Sequence, residues 1–161
     1  MEEKIKKDII SKSAAETQKI AADLAKKLKG GEILALTGDL GGGKTTFVQG
    51  LAKGLEVKKQ ITSPSFVLIK EYSISNQPAQ GWSASGGQSA INNKAKKLIH
   101  IDLYRLKKVD KILEKEISEY FKPENIVVIE WAEKIKNALP KNTQWIKFDF
   151  VDENTRKIVF Q

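Results

Sequence analysis

The chain of 161 residues reads as a single domain of the α/β class, three layers around a mainly parallel sheet with an antiparallel element near its C-terminus. Three observations carry that expectation. A short apolar run at residues 32–37 passes directly into a glycine-rich segment, Gly38-Asp39-Leu40-Gly41-Gly42-Gly43-Lys44-Thr45, and then into an amphipathic stretch. Two further apolar runs, at residues 97–102 and 125–130, each end in a carboxylate and have a helical pattern between them. Two late strands, at residues 144–151 and 156–160, are joined by the turn residues 152–155.

Each element has its own warrant. Ser13-Ala14-Ala15-Glu16 has the S-x-x-E form of a capping box, which opens a helix to about residue 28 with Ile20, Leu24 and Leu28 on one stripe. Gly30-Gly31 ends it, and residues 32–37 follow as a buried parallel strand. The next helix carries Phe47, Val48, Leu51 and Leu55 on one face. Residues 60–64 form a turn and 65–72 a strand. Composition then changes. Residues 73–93 are rich in Gly, Ser, Gln and Asn, too poor in apolar groups to build a core, and read as a mobile loop with Trp82 isolated inside it. A strand at 97–102 precedes an amphipathic helix at 109–121 carrying Ile112, Leu113, Ile117 and Tyr120, which Pro123 stops. A strongly apolar strand at 125–130 leads into a short helix ending near residue 139.

Composition excludes several classes. With no cysteine, neither a disulfide frame nor a thiolate metal site is available. No apolar run approaches the ~20 residues needed to cross a bilayer, and the N-terminus lacks the apolar core of a signal peptide. The chain therefore reads as soluble and cytoplasmic, with no membrane partner. Its formal charge of +8 comes from lysines scattered in pairs such as Lys26-Lys27, Lys58-Lys59 and Lys107-Lys108, which suits a generally solvated basic surface better than a DNA- or RNA-reading one. Only Arg105 and Arg156 are arginine among 28 basic residues, so both stand out as candidate bidentate or stacking groups.

The segment 38–45 is a complete G-x-x-x-x-G-K-[ST] phosphate-binding loop, the mark of the P-loop NTPase fold. Glycines let successive backbone N–H groups turn inward toward phosphate oxygens, and the following helix adds the positive end of its dipole. Lys44 is then expected at the β- and γ-phosphates, and the Thr45 hydroxyl on Mg²⁺. A triphosphatase also needs a carboxylate at the carboxyl end of a neighbouring strand, and Asp102 and Glu130 both qualify. His100, the single histidine, lies two residues before Asp102 and reads as a buried supporting group rather than a general base. Thr62, Ser63 and Ser65 surround Pro64; they suit either plain turn chemistry or a switch that senses the γ-phosphate. A small kinase acting on a nucleoside or metabolite is the alternative reading, although a kinase lid normally carries more arginines than two.

Taken together, Gly38–Thr46, Thr62-Ser63-Pro64-Ser65-Phe66, His100-Ile101-Asp102-Leu103-Tyr104-Arg105-Leu106 and Val128-Ile129-Glu130-Trp131 closely resemble the TsaE (YjeE) family of bacterial ATPases. H-x-D-L-Y-R-L followed by I-E-W is the most specific part, and the resemblance runs from about residue 13 to 160, apart from residues 73–93. It implies ATP and Mg²⁺ as cofactors, and the lack of an arginine finger in an obvious position or of a clear water-orienting glutamine fits weak intrinsic ATP hydrolysis. The implied partners are the TsaB–TsaD pair, with tRNA reached only through that complex, in the modification of the adenosine beside the anticodon. Carried over residue by residue, it puts nucleotide at Asp39, Leu40, Gly41, Gly42, Gly43, Lys44, Thr45 and Thr46. Mg²⁺ ligands fall on Thr45 and Glu130, with Asp102 as the second carboxylate. Ser13 and Arg156 fall near the adenine, Trp131 beside the nucleotide, and the switch at Thr62, Ser63 and Ser65. The chain departs from the family in having Gly42 where alanine is common, in lacking a glycine around residues 115–119, and in the length of residues 73–93.

Overall fold

Strands with alternating apolar residues on both sides can be buried only between two layers, and that is how the chain folds. The structure is a computed structural model that describes residues 7–64, 67–75 and 95–161. Its strands are β1 (Lys7–Ser11), β2 (Ile33–Gly38), β3 (Ile69–Ser73), β4 (Lys97–Asp102), β5 (Asn125–Glu130), β6 (Gln144–Phe150) and β7 (Arg156–Phe160). Its helices are α1 (Ala14–Ala25), α2 (Lys44–Gly54) and α3 (Lys111–Ser118), with a 3-10 helix at Ala132–Ala138. All seven strands join one sheet in the order β1-β7-β6-β2-β5-β4-β3.

The four central strands, β6, β2, β5 and β4, are parallel to one another. The three outer pairings, β1–β7, β6–β7 and β3–β4, are antiparallel. The sheet is therefore mixed. The expected C-terminal antiparallel element is present, and a second lies at the opposite edge.

Strand parity sorts the core into two faces. Leu34, Leu36, Leu98, Ile126 and Val128 point to the side covered by α1 and α2, where Phe47, Val48, Leu51 and Leu55 pack as expected. Ile33, Ala35, Ile99, Ile101, Val127 and Ile129 point to the side of α3 and the 3-10 helix, against Ile117, Ala132 and Ile135.

Three expectations shift. In α1 the buried stripe is Thr17, Ala21 and Ala25, while Ile20 and Leu24 are only partly buried at its edge. Small residues win because α2 approaches closely: a Cβ on Gly50 would collide with the Gln18 carbonyl oxygen, and one on Gly54 would lie 2.6 Å from the Ala25 Cβ. In α3, capped by Asp110 through Leu113 N at 2.9 Å, the core stripe is Val109, Leu113 and Ile117, and Ile112 is 80% exposed. Ile112 and Leu113 are adjacent and cannot share one face of a helix. Finally, β3 runs to Ser73, and Ile74 is buried and bridged to Val57. The apolar-poor segment thus begins after the edge strand, and the remainder of it, with Trp82, lies outside the described residues.

Candidate functional site

The parity that builds the α1/α2 face also aims polar side chains onto it. His100 and Asp102 follow Leu98 on β4, and Glu130 follows Val128 on β5. The parallel register sets Asp102 opposite Glu130 and Glu130 opposite Leu36 of β2. The N-terminus of α2 sits over the same strand ends. The result is a cleft of about 410 Å³ at the carboxyl edge of the sheet, lined among others by the glycine loop, Lys44, Thr45, Asp102, Glu130 and Arg156.

Its geometry is closely tied. The Thr45 hydroxyl donates to both carboxylate oxygens of Glu130, 3.0 Å to each, across 85 residues of sequence. His100, fully buried, lies with Nε2 2.7 Å from Glu130 Oε1. A carboxylate only accepts, so Nε2 carries the proton, and Nδ1 has no partner among the described residues. Asp102 accepts from Ser63 Oγ at 3.0 Å and from the Tyr104 amide at 2.9 Å. The Lys44 ammonium donates to the carbonyls of Gly38 and Asp39, at 2.6 and 2.8 Å, and lies 4.2 Å from the centre of the Trp131 ring. Burial pushes Lys44 below its ordinary pKa of 10.5, and the carboxylates of Glu130, Glu133, Asp102 and Asp39 oppose that shift.

The glycines serve different ends. Gly38 (φ 123°) is required by packing, since a Cβ there would run into the Phe148 carbonyl oxygen on β6. Gly41 (φ 75°) has no neighbour within 4 Å of a built Cβ, so its left-handed backbone leaves the loop open toward the cleft. Trp131 is the unusual residue. It holds φ 60°, a left-handed conformation that bulky side chains rarely take, and this turns its ring back over Lys44.

On the other rim, Arg156 Nε donates to the Gly41 carbonyl at 3.0 Å and its guanidinium stacks on Phe150 at 4.7 Å. The turn before it is an Asx turn, with Asp152 Oδ1 accepting from Asn154 N and Thr155 N. Ser13 caps α1 by accepting from Glu16 N at 3.1 Å and also lines the cleft. Leu40, Gly42, Gly43 and Thr46 line it as well. Asp39 contributes its carbonyl to Lys44 rather than a lining side chain. Of the expected switch hydroxyls, Ser63 reaches the cleft. Thr62 is turned away and accepts from Lys70 Nζ at 2.8 Å, and Ser65 lies outside the described residues.

Reading the sequence did not single out Thr17, Tyr104, Glu153 and Asn154, which also line the cleft. Thr17 had a trace, lying one turn after the capping serine; the others sit in loops whose return to the cleft no local pattern encodes. Among the described residues no three His, Cys, Asp or Glu side chains cluster to hold a metal by themselves. The hydroxyl of Thr45 with the carboxylates of Glu130 and Asp102 is instead a partial set of hard oxygen donors. Mg²⁺ takes such sets, relying on phosphate and water for the remainder.

Fold and cleft together define a mixed α/β protein with a glycine loop and a carboxylate pair at the carboxyl edge of its sheet. The family model of the threonylcarbamoyl adenosine biosynthesis protein TsaE matches residues 11–158, and the chain belongs to the TsaE family. The tRNA threonylcarbamoyladenosine biosynthesis protein TsaE of Aquifex aeolicus is 36% identical over 154 residues, 94% of this chain and 93% of that protein. Its namesake in Bacillus subtilis is 34% identical over 145 residues, 90% of this chain and 78% of that one. The crystal structure of YdiB from B. subtilis superposes with a TM-score of 0.67 at 31% identity, covering 96% of this chain and 84% of that one.

Proposed function

We propose that this chain is a single-domain, Mg²⁺-dependent ATPase of the P-loop type that joins the TsaB–TsaD pair in the cytoplasm. There it supports repeated cycles of N6-threonylcarbamoyladenosine formation on the tRNA adenosine beside the anticodon. Family membership supports the pathway. The observation that carries the chemistry is the Thr45–Glu130 contact beside Lys44, because residues 85 positions apart meet where a phosphate-loop enzyme needs its metal ligands.

In this reading the open backbone of Gly41–Gly43 and the α2 N-terminus receive the phosphates. Lys44, held between two carbonyls and the Trp131 face, offers its ammonium to the β- and γ-phosphates. Thr45 and Glu130 hold Mg²⁺, and Asp102 orients its shell. Bound there, the ion neutralises phosphate charge and polarises the bond to be cleaved. Arg156 and Ser13 flank the adenine side. His100 holds Glu130 from behind. No glutamine lines the cleft among the described residues, which supports slow hydrolysis by the chain alone. Ser63, bonded to Asp102, takes the place of Thr62 as the hydroxyl through which a switch would feel the γ-phosphate.

The test is co-purification with TsaB and TsaD in a non-hydrolysable ATP analogue and in ADP. The reading expects tighter assembly with the analogue, since a ligand moves such an equilibrium only through differential affinity. Equal recovery in both nucleotides would reject the switch.

A further inference from the structure

Lys134 is a half-buried lysine of the 3-10 helix and does not line the cleft. Its ammonium is nonetheless fully committed. It donates to the backbone carbonyls of Leu103, Tyr104 and Leu106 at 2.8, 2.8 and 2.7 Å. An ammonium has three donors, and all three fall on one short turn. That turn is also closed from within by Leu106 N to Leu103 O at 3.1 Å. Holding a lysine still costs more side-chain entropy than holding most residues, so an ammonium fixed on three carbonyls points to a turn that must keep its shape.

The turn has a direct link to the cleft. The amide of Tyr104, whose carbonyl Lys134 grips, donates to Asp102 Oδ1 at 2.9 Å. The Tyr104 ring lies 5.2 Å from the Trp131 ring, and the Trp131 carbonyl accepts from Lys134 N at 3.2 Å. Lys134 thus ties the turn after β4 to the 3-10 helix after β5, beside the backbone bond from Leu103 N to the Glu130 carbonyl at 3.2 Å.

We infer that Lys134 is a positioning residue: it clamps the 103–106 turn so that the Tyr104 amide keeps Asp102 aimed into the cleft. The inference rests on the Mg²⁺–ATP reading of that cleft; the hydrogen-bonded route from Lys134 to it runs through the Tyr104 amide to Asp102, beside a looser contact of the ammonium with the Trp131 ring at 5.7 Å. Groups that orient a metal's ligands typically change metal affinity or activity by about 10- to 100-fold when removed.

Two measurements on the full chain test the clamp. The first needs no nucleotide. Lys134→Met keeps the aliphatic stem and removes the ammonium, and hydrogen exchange at the Tyr104 amide is expected to rise about tenfold or more. The second is calorimetry of ATP binding with excess Mg²⁺ and with chelator. Lys134→Met is expected to lose about tenfold of the Mg²⁺-dependent gain and to leave metal-free ATP binding unchanged. In Lys134→Ala, ammonium chloride is expected to restore part of that gain by occupying the three carbonyls, and choline chloride to restore none.

Unchanged Tyr104 exchange overturns the clamp, as does an equal loss of affinity with and without Mg²⁺. A Lys134→Met chain that fails to fold also overturns it, assigning the lysine to general stability. If wild-type binding ignores Mg²⁺, the reading of the cleft falls, while the exchange result still decides whether Lys134 holds the turn.

Discussion

The two faces of the sheet are both buried, yet they are built by different means. On the α1/α2 face, Gly50 lies close against the Gln18 backbone and Gly54 against Ala22 and Ala25. At the carboxyl end of that face lie the buried polar side chains of Thr17, Lys44, His100, Asp102 and Glu130. On the opposite face, large aliphatic groups such as Ile99, Ile101, Val127 and Ile129 pack against Ile117 and Ile135, and the polar contacts at its edge run from Lys134 to backbone carbonyls. The difference follows from where the glycine loop places α2. Close packing of α2 on α1 and the sheet brings Lys44 and Thr45 within reach of residues whose parity points to that side. A buried charge is tolerated only with partners, and the partners are on that face.

The largest effect expected from this contrast is steric. Gly50→Val drives a branched side chain into the α1 backbone and should destabilise the fold by about 3 kcal/mol, the upper part of the range for overpacking. Ile112→Ala on the other side removes a side chain that is 80% exposed and should cost no more than about 0.5 kcal/mol. Urea denaturation of both variants measures the difference, and similar midpoints would mean that α2 does not press on the α1 backbone at Gly50.

A smaller effect concerns pH. Folding buries Lys44 and lowers its pKa below the ordinary 10.5. Between the lowered value and 10.5 the unfolded chain binds more protons, so this group makes the nucleotide-free fold more stable as pH rises through that window. The stability of the wild type minus that of Lys44→Met should therefore climb from the lowered pKa toward 10.5 in thermal melts. A flat or falling difference would mean that the carboxylates around Lys44, rather than burial, set its pKa.

Much of the central sheet was legible from sequence. β4 and β5 fall on the expected residues because a continuous apolar run ending in a carboxylate is a strong local signal. The phosphate-loop pattern correctly located a strand, a turn with left-handed glycines and a helix. The edges were harder. β1 contributes two isoleucines between charged and polar neighbours, too short an alternation to read, and gains its strand only by pairing with β7. Of the stripe expected for the first helix, Leu28 is buried, but Ile20 and Leu24 yield the centre to Thr17, Ala21 and Ala25, because hydrophobic size does not signal where close approach favours alanine. Within the cleft, Thr45, Asp102 and Glu130 were visible as residue types at strand and helix ends. The turn of Thr62 toward Lys70 and the grip of Lys134 on three carbonyls depend on side-chain direction and backbone oxygens, which leave no pattern in the sequence.

On the proposed reading, the buried cluster around Lys44 is a binding site for a nucleoside triphosphate with Mg²⁺. Calorimetric titration of wild type and Lys44→Met with ATP and excess Mg²⁺ tests it most directly. Lys44 makes charge-assisted bonds in the proposed complex, worth roughly 2 kcal/mol, so the variant should bind about 30-fold more weakly while remaining folded. Equal affinity in the two proteins, or no binding to the wild type, would contradict the claim.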